Sequence, residues 1–151
     1  MLLEKKIGEL EQKIDHADKL ATNISEKAVA WHIDHSLKVI IAVVNALQNS
    51  DPANYKWKFN LIRSYIFTVG SIPRGKGKAP KSVLPADQII KENLLLQLKE
   101  AKDQINTIEN LPSNSNFKHP YFGILNVIMT TKFLEIHTGH HLKIINDIIA
   151  E

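Results

Sequence analysis

Phe133-Leu134-Glu135-Ile136-His137-Thr138-Gly139-His140-His141-Leu142-Lys143-Ile144-Ile145-Asn146-Asp147-Ile148 is the stretch that decides the fold class. At about 100° per residue, Phe133, Leu134, Ile144 and Ile148 gather within roughly 60° of His137. Lys132, Glu135, Lys143 and Asn146 fall on the opposite side. That spacing predicts an amphipathic helix with His137 on its apolar face. His141 sits about 40° from His137 and one turn along, while His140 lies about 60° the other way, at the edge of that face. Two imidazoles therefore project together toward an interior.

A second stretch repeats the arrangement. With His32 as the zero of its wheel, Ala28, Val29, Val39, Val43 and Leu47 surround it. Lys27, Asp34, Lys38 and Asn45 face away, so Asp34 reads as a surface residue. His35 falls at the apolar edge, and Ser36 lies one turn from His32 on the inner face. Ala28, Ser36 and Ala46 are small enough to leave room for an ion, water or a substrate. Inward histidines are costly unless something satisfies their nitrogens. A divalent metal does so, because neutral imidazole suits Zn²⁺, Ni²⁺, Fe²⁺ or Cu²⁺, and three ligands leave a position open for water or substrate. The competing reading is a set of hydrogen-bonded core histidines, since an H-x-x-x-H pair on a helix is common by chance.

Outward from these two stretches the chain is helical by the same criterion. Residues 2–20 place Leu3, Ile7, Leu10, Ile14 and Ala17 at three- and four-residue spacing. Asn23 with Glu26 fits a capping-box start for a helix running to residue 49. A third helix is expected over 53–69, carrying Tyr55, Phe59, Ile62, Ile66 and Val69, and a fourth over 86–110. Residues 70–85, with Gly, Pro and the cations Arg74, Lys76, Lys78 and Lys81, read as a loop. Glycines among cations can let backbone N–H groups approach an anion, such as the acidic end of a thiol cosubstrate. A solvated loop is the plainer reading, and the loop lacks the P-loop pattern. Residues 111–123 read as irregular, and the last helix starts near 126. No strand-like alternation or repeat is evident. The fold class is all-α, and long segments of this kind point to a bundle.

Composition narrows the chemistry. A chain of 151 residues, 44% of them apolar, fits one domain, residues 1–151, with one sizeable core. The absence of cysteine rules out disulfides, thiolate ligands and a protein thiol nucleophile. A net charge of +3 is a poor argument for nucleic-acid binding. No apolar run is long enough to span a bilayer, and the opening residues do not read as a signal peptide, so a cytoplasmic location is expected. His16 reads as a solvated surface residue, and Trp31 and Trp57 as core or interface residues.

The residues His32-Ile33-Asp34-His35-Ser36 resemble the histidine-bearing segment of the DinB-like (YfiT-like) superfamily. His119-Pro120-Tyr121-Phe122-Gly123-Ile124-Leu125, followed by His137-Thr138-Gly139-His140-His141-Leu142-Lys143, resembles one branch of it closely, a branch catalogued as a domain of unknown function. Its basic loop recurs as Pro73-Arg74-Gly75-Lys76-Gly77-Lys78-Ala79-Pro80. The resemblance covers nearly the whole chain. It implies an up-down-down-up four-helix bundle with an additional short helix, the first segment and the basic loop lying outside the metal-bearing core helices. It also implies one divalent metal ion, Zn²⁺ or Ni²⁺ foremost and Fe²⁺ next, held by His32, His137 and His141. His35 is the alternative donor from the second helix if its register differs. Related proteins include metal-dependent transferases of low-molecular-weight thiols, a thiol-dependent isomerase and hydrolases. The resemblance therefore implies a small-molecule thiol or other small substrate, a homodimer, and neither nucleic acid nor membrane as partner. A non-catalytic metal-binding structural or stress protein is the rival. Around the site, His35 and His140 could orient a substrate or sit at a helix seam. The His119 loop could fold over the site mouth or cap the final helix.

Overall fold

The computed structural model describes residues 1–75, 81–84 and 88–151. Lys76, Lys78 and Pro80 of the basic loop, and Ala86 at the expected start of the fourth helix, lie outside the described residues. Within them the chain is mostly helical, with one small two-stranded sheet. The helices are α1 (Leu2–Gln12), α2 (Val29–Gln48), α3 (Leu61–Val69), α4 (Lys91–Asn106) and α5 (Val127–Ala150). The strands β1 (Asn116–His119) and β2 (Gly123–Asn126) pair antiparallel, His119 opposite Gly123 and Asn116 opposite Asn126. This hairpin corrects the all-α expectation. Each strand is four residues long and mostly half-buried, too short to write an alternation into the sequence.

Four helices build the core. α1 packs on α4 and α5, and α2 packs on α4 and α5. Leu3, Ile7 and Leu10 of α1 are wholly buried, as are Ile33, Leu37 and Ile40 of α2, Leu94 of α4, and Leu134 and Ile145 of α5. Each such side chain contributes about 1.5–3 kcal/mol by leaving water. The first segment is thus a full member of the core, although it carries none of the clustered histidines. Polar contacts tie the same pairs together: Lys102 to Glu11 (2.7 Å) and Lys91 to Asp15 (2.5 Å) between the first and fourth helical segments. Gln97 donates to Asp34 (2.8 Å) and Gln48 to Thr107 (2.8 Å).

Helix boundaries follow local hydrogen bonding more than periodicity. α2 begins at Val29, and no capping box forms at Asn23. The N–H groups of Val29 and Ala30 donate instead to the carbonyls of Lys19 and Ala17, which satisfies two donors that every helix start leaves orphaned. α3 begins only at Leu61, where the Asn60 side chain accepts from the Arg63 N–H (2.8 Å), and it ends at Gly70 with φ +70°. The expected 53–69 helix is therefore half as long. Of its five expected inward residues only Ile66 is buried, because α3 rests on the outside of the bundle. α5 opens at Asn126, whose side chain accepts from Met129 N–H.

Candidate metal centre

The inner face of α2 meets α5 across a cluster of imidazoles. One ligand atom from each of His35, His137 and His141 can be chosen so that all three lie within 4.8 Å of one another. A Zn–N bond of about 2.0–2.1 Å sets a nitrogen spacing of roughly 3.4 Å in a tetrahedral site, so this triangle closes with less than about 1 Å of movement per ring. Ring centroids agree: 4.9 Å for His35–His141, 4.7 Å for His137–His141 and 5.2 Å for His35–His137.

The proton positions suit ligation. His35 Nδ1 lies 2.8 Å from the Val83 carbonyl, and a carbonyl only accepts, so Nδ1 carries the hydrogen and Nε2 keeps its lone pair. A backbone carbonyl fixing the tautomer in this way is the usual partner of a metal-binding histidine. The Nδ1 of His137 is buried with no hydrogen-bond partner, a cost of about 1–3 kcal/mol that an electrophile at the cluster would remove. Burial is the first cause holding His35, His137 and His141 below the usual histidine pKa of 6.5, the last two well below it. For His137 and His141 the neighbouring imidazoles push the same way. All three are neutral at pH 7, the state a metal ion requires.

His32 stands beside this triangle. Only 4% exposed, it sets its Nδ1 3.0 Å from His141 Nδ1 and its Nε2 3.0 Å from Ser25 Oγ. One assignment satisfies the whole chain when His141 keeps its Nε2 lone pair for the triangle. His141 Nδ1–H donates to His32 Nδ1, and His32 Nε2–H donates to Ser25 Oγ, which also accepts from Lys27 N–H. His32 then orients His141, and the α2 histidine in the cluster that could hold a metal ion is His35, the alternative that the sequence leaves open. Burial lowers the His32 pKa to about 4, with His35 a smaller cause.

Over the triangle lies a cavity of about 720 Å³. Trp31, Val39 and Val43 wall it from α2, Phe133 from α5, and Phe117 and Phe122 from the hairpin. Trp31 stacks on His35 at 5.1 Å. His140 and His119 also line it. Burial lowers the His140 pKa, with a hydrogen bond to the Ile72 backbone opposing. His119 sits in the hairpin at the cavity wall, while the cap of the final helix is Asn126. Arg63, 5% exposed, holds the preceding segment to the hairpin by donating to the Phe122 and Lys58 carbonyls.

Several other expectations change. Asp34 is not a surface residue: it is 3% exposed, takes the Gln97 bond described above and pairs with Lys38 at 2.8 Å. Trp57 is exposed. In the basic loop Arg74 is paired with Asp147 and Lys81 is exposed at the cavity edge. The Val83 carbonyl was out of reach of any wheel, because it arrives from a loop 48 residues away.

Comparison with protein-family models, with curated proteins and with solved structures finds no match. What the fold and the site define is a class: a mostly helical protein whose His35, His137 and His141 form a cluster that could hold a metal ion. No helix among the described residues is long and apolar enough to cross a membrane.

Proposed function

We propose that this chain is a DinB-like metalloprotein that binds one divalent ion, Zn²⁺ or Ni²⁺ foremost and Fe²⁺ next, through His35, His137 and His141. We further propose that it serves as a transferase for a small-molecule thiol. The observation that carries the metal reading is the triangle of three neutral imidazoles within 4.8 Å, one tautomer set by the Val83 carbonyl and one buried nitrogen left without a partner.

The helix directions support the bundle reading. Glu11 meets Lys102 and Asp15 meets Lys91, so α1 and α4 run oppositely. Asp34 meets Gln97 and Gln48 meets Thr107, so α2 and α4 run together. His32 meets His141 and His35 meets His137, so α2 and α5 run oppositely. In chain order of the four core helices this is up, down, down, up, with α3 as the additional short helix.

A bound divalent ion lowers the pKa of a coordinated thiol or water toward neutrality. His35 and His141 are held in orientation by Val83 and His32, and Trp31, Phe122 and Phe133 give the cavity beside the cluster an apolar wall. Among the described residues no carboxylate lines the cavity. That favours a thiol, which a coordinating ion deprotonates outright, over a water nucleophile, whose pKa it brings only to about 7. A homodimer fits α3, whose Leu61, Ile62 and Tyr65 are exposed and whose one charged residue, Arg63, is buried.

The test is metal content by mass spectrometry on protein purified without chelator, then a screen of thiol-transfer and ester substrates. About one equivalent per chain is expected, with a loss of at least tenfold in affinity in His137→Ala and in His35→Ala. Wild-type protein that holds no more metal than His137→Ala sinks the metal reading. Metal without turnover of any substrate favours the non-catalytic protein.

A further inference from the structure

We propose that the cavity above the histidine cluster binds an uncharged, largely apolar molecule carrying one hydrogen-bond acceptor, such as an aryl ketone, ester or amide, with the acceptor on His119 Nε2–H. This names the substrate class of the site described above, and rests on that reading only for what the bound molecule meets beyond His119.

Two backbone N–H groups, of Tyr121 and Phe122, each point at His119 Nδ1 from 3.1 Å. Both are donors, so Nδ1 is the acceptor and the ring hydrogen sits on Nε2. The ring cannot easily turn. It lies flat on Phe122, with centroids 4.1 Å apart and planes 9° apart, and its edge meets Phe133 at 4.6 Å. Among the described residues nothing accepts the Nε2–H, and the ring lines the cavity. A directed donor is thus held among aromatic neighbours, in a wall whose other polar side chains are Lys81, Ser82, Tyr121 and the imidazoles of α2 and α5.

The rest of that wall defines what else the ligand carries. Trp31, Val39, Val43, Phe117 and Phe133 offer no hydrogen bond into the space except the indole N–H. The described lining holds no carboxylate to pair with an ammonium group, and its one cationic side chain, Lys81, is exposed at the edge. A charged head would leave water for one neutral donor and no buried counter-ion, which costs more than the apolar contacts return. A volume of about 720 Å³ lies in the range of small-molecule sites, roughly 300–1,000 Å³.

The experiment uses full-length protein carrying Trp57→Phe, which leaves Trp31 as the single remaining tryptophan of two. Acetophenone, toluene and benzoate are titrated while the Trp31 indole ¹H–¹⁵N peak is followed, before and after dialysis against a chelator. In the dialysed protein acetophenone is expected to shift the peak with an affinity roughly tenfold above toluene and benzoate, the worth of one hydrogen bond and of an uncharged head. His119→Phe should bring acetophenone to the level of toluene. Val39→Phe, which fills the cavity from α2 and leaves His119 in place, should weaken all binding. Benzoate binding as tightly as acetophenone, no shift at millimolar acetophenone, or unchanged affinity in both variants overturns the proposal. Metal bound without acetophenone binding refutes this inference alone. Acetophenone binding in a protein that never holds metal refutes the metal reading alone.

Discussion

At the scale of single residues, the site is a set of proton positions as much as a set of distances. His32 is bonded at both ring nitrogens, to His141 and to Ser25, so its lone pair is spent on orientation. Partners of this kind typically change metal affinity by about 10–100-fold when removed. His32→Ala is therefore expected to weaken metal binding within that range, less than His141→Ala does, in a competition titration with a chromogenic chelator. His32→Gln, whose side-chain oxygen can still accept from His141 Nδ1–H, should recover part of the loss. Equal and complete loss in all three variants would make His32 a ligand and the triangle wrong. His137 and His141 were legible in sequence because α5 presents one apolar face. His35 was legible only as the alternative, since a wheel assumes a single inward direction. Residues 32–37 are all buried, so α2 has inward directions toward both α4 and α5.

At the scale of elements, the long helices were legible and their ends were not. Periodicity reports which face is buried, whereas ends are decided by contacts such as the Lys19 and Ala17 carbonyls that receive the start of α2. The short hairpin left no pattern to read, yet it carries His119 and closes the cavity. Gly139 lies inside α5, where glycine costs about 0.8–1 kcal/mol relative to alanine. A Cβ there would meet only the flexible end of Lys6, with Nζ at 2.8 Å. Gly139→Ala should raise the thermal midpoint by about 2–4 °C in calorimetry, with metal content unchanged. A fall instead would mean that Lys6 cannot move aside. On α3, Leu61 is 73% exposed and Tyr65 61%. If a second copy docks there, Leu61→Glu with Tyr65→Glu turns a dimer into a monomer by sedimentation equilibrium, while helicity is retained.

At the scale of the whole molecule, six buried or half-buried imidazoles couple stability to pH. Burial is the first cause lowering the pKa of His32, His35, His119, His137, His140 and His141. His32 and His119 fall to about 4 from 6.5. The unfolded chain takes up protons at 6.5 that the fold refuses, so between those values the unfolded state binds more protons and stability rises with pH. This contribution is fully present above pH 6.5 and is lost as pH falls toward and through about 4. The thermal midpoint of metal-free protein should therefore be nearly flat above pH 7 and drop steeply from 6.5 to 4, by circular dichroism. Rising net positive charge also destabilises in acid, so the histidines are isolated by comparison. His119→Phe removes one refused proton and should make the slope shallower across that window, leaving the plateau above 7 to report only the lost hydrogen bonds. Metal-loaded protein should lie above the metal-free curve at pH 7 and converge on it in acid, because protons and metal compete for the same nitrogens. Parallel curves for loaded and stripped protein would place any bound ion elsewhere than on these imidazoles.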